Sequence, residues 1–370
     1  MRAQPGDTSA PAHDSRGRLP THARARDAGG HLVNLLLEAI RGEPVARRPL
    51  WIMRQAGRCL PEYRALRQSH SFKTLSGTPD LAAEVSLLPL KRFPFDAAIV
   101  FADIMSPLPA LGVEFDFAPG PVVADPIRDP SGVDRLRSPD PDEVAPEVIE
   151  TVRRVRDTVP PEVAVLGFCG APWTLAAYLV EGRGVKDFPM LRALAAAEPR
   201  LLGTLLGKLS DAMATYLTAQ AHAGADAVQV FDSWAGLLSL ADWERLIRPH
   251  LESMLTTVGE AGVPRILFVQ NAPHLLGAYA DLPAEVVSVD WREDIAAAQC
   301  RWPGRAVQGN IDPAVLLGGP APTRKATEDL LGHVNRRGHI VNLGHGLMPD
   351  TPLQSIEALV EAVHSEDSDE

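Results

Sequence analysis

Arg54, Arg58, Arg64 and Arg67 crowd the segment MRQAGRCLPEYRALR. A guanidinium offers a planar fork of donors that matches a carboxylate, so this segment suits a polyanionic ligand. Gly57 stands between the first two arginines, where the main chain could approach a ligand closely. A solvated face with ordinary surface ion pairs would carry the same charges, so position has to separate the two readings. Asp103, in DAAIVFADIM, directly follows an apolar run. A carboxylate there either faces a site or caps the next turn. His345 lies between two glycines in VNLGHGLMPDTP, an unnatural setting for a packed core histidine. In GFCGAPWTLAAYLVEG a turn of small residues leads into helix-like sequence; it either presents backbone N–H groups or packs a helix tightly on a strand. Asp232 and Ser233 in QVFDSWAG follow a further apolar run, but there is no G-x-S-x-G elbow to support serine hydrolysis.

Other chemistries lack their usual supports. Gly203 to Lys208 resembles a phosphate loop only superficially, since Leu209 stands where a magnesium-binding hydroxyl is needed. No G-x-G-x-x-G follows an apolar run, and there is neither H-E-x-x-H nor a Cys/His cluster, so no metal site is expected. Cys59, Cys169 and Cys300 are scattered, which argues against a disulfide framework and for a reducing cytoplasm.

The elements that must position these residues recur along the chain. Eight β-rich runs are visible: Leu50 to Met53, Ala97 to Phe101, Val163 to Gly167, Ala227 to Phe231, Ile266 to Val269, Val286 to Val289, Ala306 to Gln308, and His339 to Leu343. Most are apolar on successive residues, as parallel strands covered on both faces should be, and most are followed by helix-like sequence. Leu202, Leu205, Leu209, Met213, Tyr216 and Gln220 predict a helix from Pro199 to Ala223, stopped by Gly224. This alternation predicts a single (β/α)8 TIM barrel over residues 31–364, with a doubly wound open sheet as the alternative. In such a barrel the site is built just beyond the strand ends. Arg54-Gln55, Asp103, Phe168 to Trp173, Asp232-Ser233, Gln270-Asn271, Asp290-Trp291, Gly309 to Asp312, and Gly344 to Gly346 occupy those places.

At 370 residues, 45% hydrophobic and 22% charged, the chain has the composition of one large globular domain. A net charge of -11 argues against nucleic acid or an anionic membrane as partner. The uncharged window Val163 to Val180 is long enough for a membrane span, but Gly167, Gly170 and Pro172 interrupt it, so strand, turn and helix are expected there. Residues 1–30, rich in Arg, Ala, Pro and Ser, are expected to form a disordered tail with too little apolar surface to dock, and 365–370 a solvated acidic tail.

Taken together and in this order, MRQAGRCLPEYR, GFCGAPWTLAAYLVEG, QVFDSWAG, VDW, QGNIDP and NLGHGLMPDTP resemble the uroporphyrinogen decarboxylase family of haem biosynthesis from about Leu32 to Val363. The resemblance implies a (β/α)8 barrel, a homodimer, and removal without any cofactor of the four acetate carboxyls of uroporphyrinogen III as CO2, giving coproporphyrinogen III. It places the family's ligand segment on Arg54, Gln55, Ala56, Gly57 and Arg58, its carboxylate on Asp103, and further substrate contacts on Arg67, Tyr178, Ser233 and His345. Such a substrate has carboxylates at its rim and pyrrole N–H groups at its centre. Arginines suit the first and one acidic acceptor the second. Asp103 and Arg54 are the expected catalytic residues; the proton donor is left open, because arginine holds its proton to above ~12.

The chain departs from the family's usual pattern at Cys59 (tyrosine is usual), Ala102 (serine), Trp173 (phenylalanine), and over Ile266 to Leu275. A cobalamin-linked methyltransferase on the same fold would need a zinc-binding set that these cysteines do not form. A silent tetrapyrrole carrier would need the arginines more than Asp103.

Overall fold

The computed structural model describes residues 33–118 and 120–368; the expected N-terminal tail lies outside them. Among the described residues there are nine strands: β1 (Ala97–Ile99), β2 (Phe115–Phe117), β3 (Pro121–Val123), β4 (Ala164–Gly170), β5 (Ala227–Asp232), β6 (Arg265–Val269), β7 (Val286–Ser288), β8 (Ala306–Gln308) and β9 (His339–Ile340). Seven of them form one parallel sheet in the order β1-β4-β5-β6-β7-β8-β9, and β2 pairs with β3 in an antiparallel hairpin. Burial on both faces explains the unbroken apolar runs: every residue of β4, β7 and β8 is buried.

Helices cross between the strands, and proline opens many of them. Pro146–Thr158 precedes β4; Pro172–Glu181, Pro189–Ala197 and Pro199–His222 lie between β4 and β5; Pro320–His333 lies between β8 and β9. Proline at the first helical turn forfeits only an N–H that has no intrahelical partner. The long helix Pro199–His222 matches its apolar periodicity. Leu202, Leu205, Leu209, Met213, Tyr216 and Gln220 are all buried, and Gly224 after it has a φ of +109°. The uncharged window divides into β4 and the helix Pro172–Glu181, and no helix among the described residues is long and apolar enough to cross a membrane.

The first expected run differs from the others. Leu50 to Met53 is buried, but it forms a single parallel bridge, Leu50 with Val341, rather than a strand. It is nevertheless tied to both edges of the sheet. Val341 N–H donates to Pro49 O (2.9 Å) beyond β9, and Asp96 N–H donates to Leu50 O (2.8 Å) before β1. The Asp96 carboxylate takes the Leu50 N–H at 2.7 Å, a donor that a regular ladder would have used. Arg47 in turn grips Asp96 through two bonds of 2.7 and 2.8 Å. Inside the sheet, Trp51 Nε1 donates to Gln308 Oε1 (2.9 Å), and Gln308 Nε2 donates to Ser288 Oγ (3.0 Å) and Gln229 Oε1 (3.2 Å). A buried polar set satisfied in this way specifies one packing, because each lost bond would strand a desolvated group.

The C-terminal boundary also needs correction. The helix Leu353–His364 continues into a 3₁₀ turn over Ser365–Ser368, and Glu366, expected in a solvated tail from 365, is only 8% exposed. Its carboxylate pairs with the guanidinium of Arg48 and accepts the Arg48 main-chain N–H at 3.0 Å. Arg48 is itself 3% exposed, and a buried cation requires a counterion.

Candidate active site

Strand ends deliver the site residues to one edge of the sheet, and the loops there interlock. Gln270 N–H donates to Asp232 O (2.9 Å), Asn271 N–H to Asp290 Oδ2 (2.9 Å), and Leu347 N–H to Met53 O (2.8 Å). Two strands run further than expected: Phe168 to Gly170 belong to β4, and Asp232 closes β5, because Gly170 pairs with Phe231. The glycines of GFCG serve packing. A Cβ on Gly167 would sit 2.7 Å from Gln220 Oε1, which accepts the Phe168 N–H, while Gln220 Nε2 donates to Phe168 O.

The arginine segment is held from beneath by Gln55. Its Nε2 donates to Ala97 O on β1 (2.9 Å) and its Oε1 accepts the Ile52 N–H (3.0 Å). That buried amide is therefore committed to main chain and positions its neighbours. Arg54 sits in the left-handed region at φ 63°, and a Cβ on Gly57 would come 3.0 Å from Arg54 O. Ala56 is half-buried against the core. Arg58 is exposed, as is Arg67 on the helix Pro61–Ser69, where its Nη1 donates to His70 O (2.7 Å). Arg64, the remaining member of the cluster, donates to Arg58 O and Cys59 O at 2.8 and 3.0 Å and braces the loop.

Arg54, Asp103 and Tyr178 form one electrostatic group. Burial holds the Arg54 guanidinium below its ordinary value, with Tyr178 and Asp103 opposing that fall and Arg58 adding to it. Arg54 is nonetheless exposed to water. Burial also raises the Asp103 carboxyl; the Met105 N–H and Arg54 pull it back. Oδ1 of Asp103 accepts that N–H at 2.9 Å, so the turn-capping role is real, while Oδ2 makes no hydrogen bond among the described residues. Burial raises the Tyr178 hydroxyl as well, with the Asp103 anion adding to the rise. The ring of Tyr178 meets Phe188 edge-on at 6.0 Å, and Phe188 packs on Trp234 at 4.7 Å.

His345 completes the group. Its ring lies 6.1 Å from Phe268 and 6.2 Å from Trp291, and burial, reinforced by Arg54, pushes its basicity down to about 4, so it is neutral at neutral pH. The side chain of Arg54 occupies the space beside Gly346 where a Cβ would project. Ser233 is reached through a relay that its sequence context did not reveal. Its N–H donates to Thr174 Oγ1 (2.8 Å), and that hydroxyl donates to Asp232 Oδ1 (2.8 Å), which joins the Ser233 turn to the helix carrying Tyr178. Thr174 and Asp232 are both fully buried.

At the departures from the family pattern, the structure is well packed. Cys59 is buried and its thiol is pushed up to about 11, away from reactivity. Trp173 is fully buried, and Ala102 packs between the two halves of the apolar interior. The segment from Gln270 is tied down by its main-chain bonds and by His274, whose Nε2 lies 2.7 Å from Leu238 O. Among the described residues, no three His, Cys, Asp or Glu side chains converge as metal ligands.

A family model described as uroporphyrinogen decarboxylase (URO-D) matches residues 33–366. Relatives named uroporphyrinogen decarboxylase include one from Nocardia farcinica, 44% identical over 94% of this chain and 99% of its own. Another, from Thermus thermophilus, is 44% identical over 90% and 98%, and one from Prochlorococcus marinus 43% over 89% and 96%. Among solved structures, a methyltransferase from Methanosarcina mazei superposes with a TM-score of 0.74 at 22% identity, covering 89% of this chain and 97% of its own; this is a likeness of fold.

Proposed function

The chain belongs to the uroporphyrinogen decarboxylase family and is a carboxy-lyase of uroporphyrinogen in haem biosynthesis, and from that premise we propose how its residues act. The substrate is uroporphyrinogen III, its four acetate side chains become methyls, and coproporphyrinogen III is released. Each step consumes a proton and releases CO2. A proton added to a pyrrole ring carbon makes the ring cationic; the electrons of the breaking C–CO2 bond flow into that ring and leave an exocyclic methylene; a proton then adds to that methylene to complete the methyl while the ring carbon gives its proton back, so one proton is consumed for each CO2. The ring thus supplies the electron sink for which other decarboxylases need a cofactor, and none is required here.

In this reading Asp103 faces the pyrrole N–H groups, and its charge stabilises the cationic ring, a preorganised group aimed where charge develops. Arg54, Arg58 and Arg67 hold carboxylates at the rim, assisted by main chain from Gln55 to Gly57. Tyr178, Ser233 and neutral His345 line the cleft. The sheet is closed into a (β/α)8 barrel by the Leu50 segment, which bonds to both sheet edges. The protein works as a homodimer in the cytoplasm, with no nucleic-acid or membrane partner.

The observation that supports this reading is the placement of Arg54 against the His345 loop, its side chain where a Cβ on Gly346 would project, with Asp103 and Tyr178 near enough to act on its basicity. The test is an anaerobic assay with uroporphyrinogen III on protein dialysed against a chelator, following hepta- to tetracarboxylate products by chromatography. Turnover is expected to survive dialysis. No product from freshly purified protein would overturn the substrate, and activity that returns only with added metal would overturn the cofactor-free chemistry.

A further inference from the structure

Asp290, Trp291 and Arg292 follow β7, and together they immobilise a guanidinium. Arg292 Nη1 donates to both oxygens of Asp290, at 3.0 and 3.1 Å, and its Cζ lies 3.6 Å from the centre of the Trp291 ring. Asp290 is 2% exposed and is anchored in turn by the N–H groups of Asn271 and Arg292 at 2.9 and 3.0 Å. Trp291 is fixed by its main chain, which fills the space a Cβ on Gly344 would take, and its ring faces His345. On the far side of the same loop, Gly346 carries the Arg54 side chain. Two arginines therefore flank His345, and both depress its basicity.

Arg292 differs from the other braced cations in what remains free. Its side chain is 40% exposed, and its Nε and Nη2 donate to nothing among the described residues. A guanidinium held flat by a carboxylate and an aromatic ring, with one edge open, gives up little side-chain entropy when it takes a second carboxylate. We propose that Arg292 is a further substrate-binding residue, whose free edge holds a side-chain carboxylate of the tetrapyrrole on the His345 side of the cleft. This rests on the decarboxylase reading, which supplies the carboxylates. Asp290 and Trp291 are then positioning residues for that contact.

The experiment compares wild type, Arg292→Ala and Arg292→Lys for kcat and KM with uroporphyrinogen III, alongside thermal melts. A charge-assisted hydrogen bond to carboxylate is worth roughly tenfold or more in binding. Arg292→Ala should therefore raise KM about tenfold, read well below its melting temperature, which falls because the buried Asp290 loses its counterion. Arg292→Lys should recover part of the loss, since it keeps the charge but not the fork. An unchanged KM in Arg292→Ala, with an active wild type, overturns the inference and leaves the decarboxylase reading standing. A lowered melting temperature with unchanged KM also overturns it, by showing that Arg292 only covers Trp291. A wild type inert toward uroporphyrinogen overturns the decarboxylase reading and this inference with it.

Discussion

Asp103 caps the next turn, and we propose that it also takes the site-facing role its sequence context offered. One oxygen caps the turn at Met105, and the carboxylate lies near enough to Arg54 and Tyr178 to act on both electrostatically. Asparagine can keep the cap but not the charge. Asp103→Asn is therefore expected to melt like wild type while kcat falls by about 10² or more, the scale of other preorganised electrostatic groups; near-normal turnover would remove Asp103 from catalysis. The pH profile carries the same information. Burial places the folded-state pKa above the ordinary carboxylate value, so the active anion is lost as pH falls through that raised value. The acid limb of kcat/KM should thus lie above the usual carboxylate range and disappear in Asp103→Asn. Arg54→Ala and Arg58→Ala each remove a fork worth roughly 1.5 to 3 kcal/mol. Both should raise KM and let partly decarboxylated intermediates accumulate, which chromatography of the product mixture will show.

The glycines around His345 belong to the scale of elements. Their sequence suggested a histidine left open for a ligand; the structure adds that neither glycine has room for a methyl group. Gly344 backs onto the main chain of Trp291, whereas Gly346 backs onto the movable side chain of Arg54. The two alanine variants should accordingly fail in different ways. Gly344→Ala forces backbone apart, an overpacking worth about 1 to 3 kcal/mol, and should lower the melting temperature by several degrees. Gly346→Ala displaces Arg54 and should raise KM with little change in melting. Equal melting temperatures for the two variants would refute this account of the loop.

For the whole molecule, two adjacent arginines fasten the segment before Leu50 to distant elements. Arg47 reaches Asp96 before β1, and Arg48 reaches Glu366 after the final helix. Breaking a buried ion pair from one side leaves the other charge unpaired at a cost of about 3 to 5 kcal/mol. Glu366→Ala should therefore lower the melting temperature markedly without altering KM, and Glu366→Gln should lower it less. A silent Glu366→Ala would return this residue to the solvated tail that its acidic surroundings suggest.

Seven of the eight expected runs fall on the strands of the parallel sheet, and the helix Pro199–His222 was legible in its apolar period, because both follow from local chemistry. A parallel strand covered on both faces must be apolar throughout, proline marks a first helical turn, and a barrel-like sheet puts its polar residues just past the strand ends. Arg54, Asp103 and His345 became candidates that way, while the family resemblance supplied Tyr178 as a candidate. Other features belong to the tertiary structure alone: the inward turn of the Gln55 amide, the Thr174 to Asp232 relay, the bracing of Arg292 and the burial of Glu366. Each depends on a partner brought in from elsewhere in the fold or on the direction a side chain takes. No period or composition encodes either, because a polar residue at a loop or terminus has the same local signature whether water or a buried counterion satisfies it.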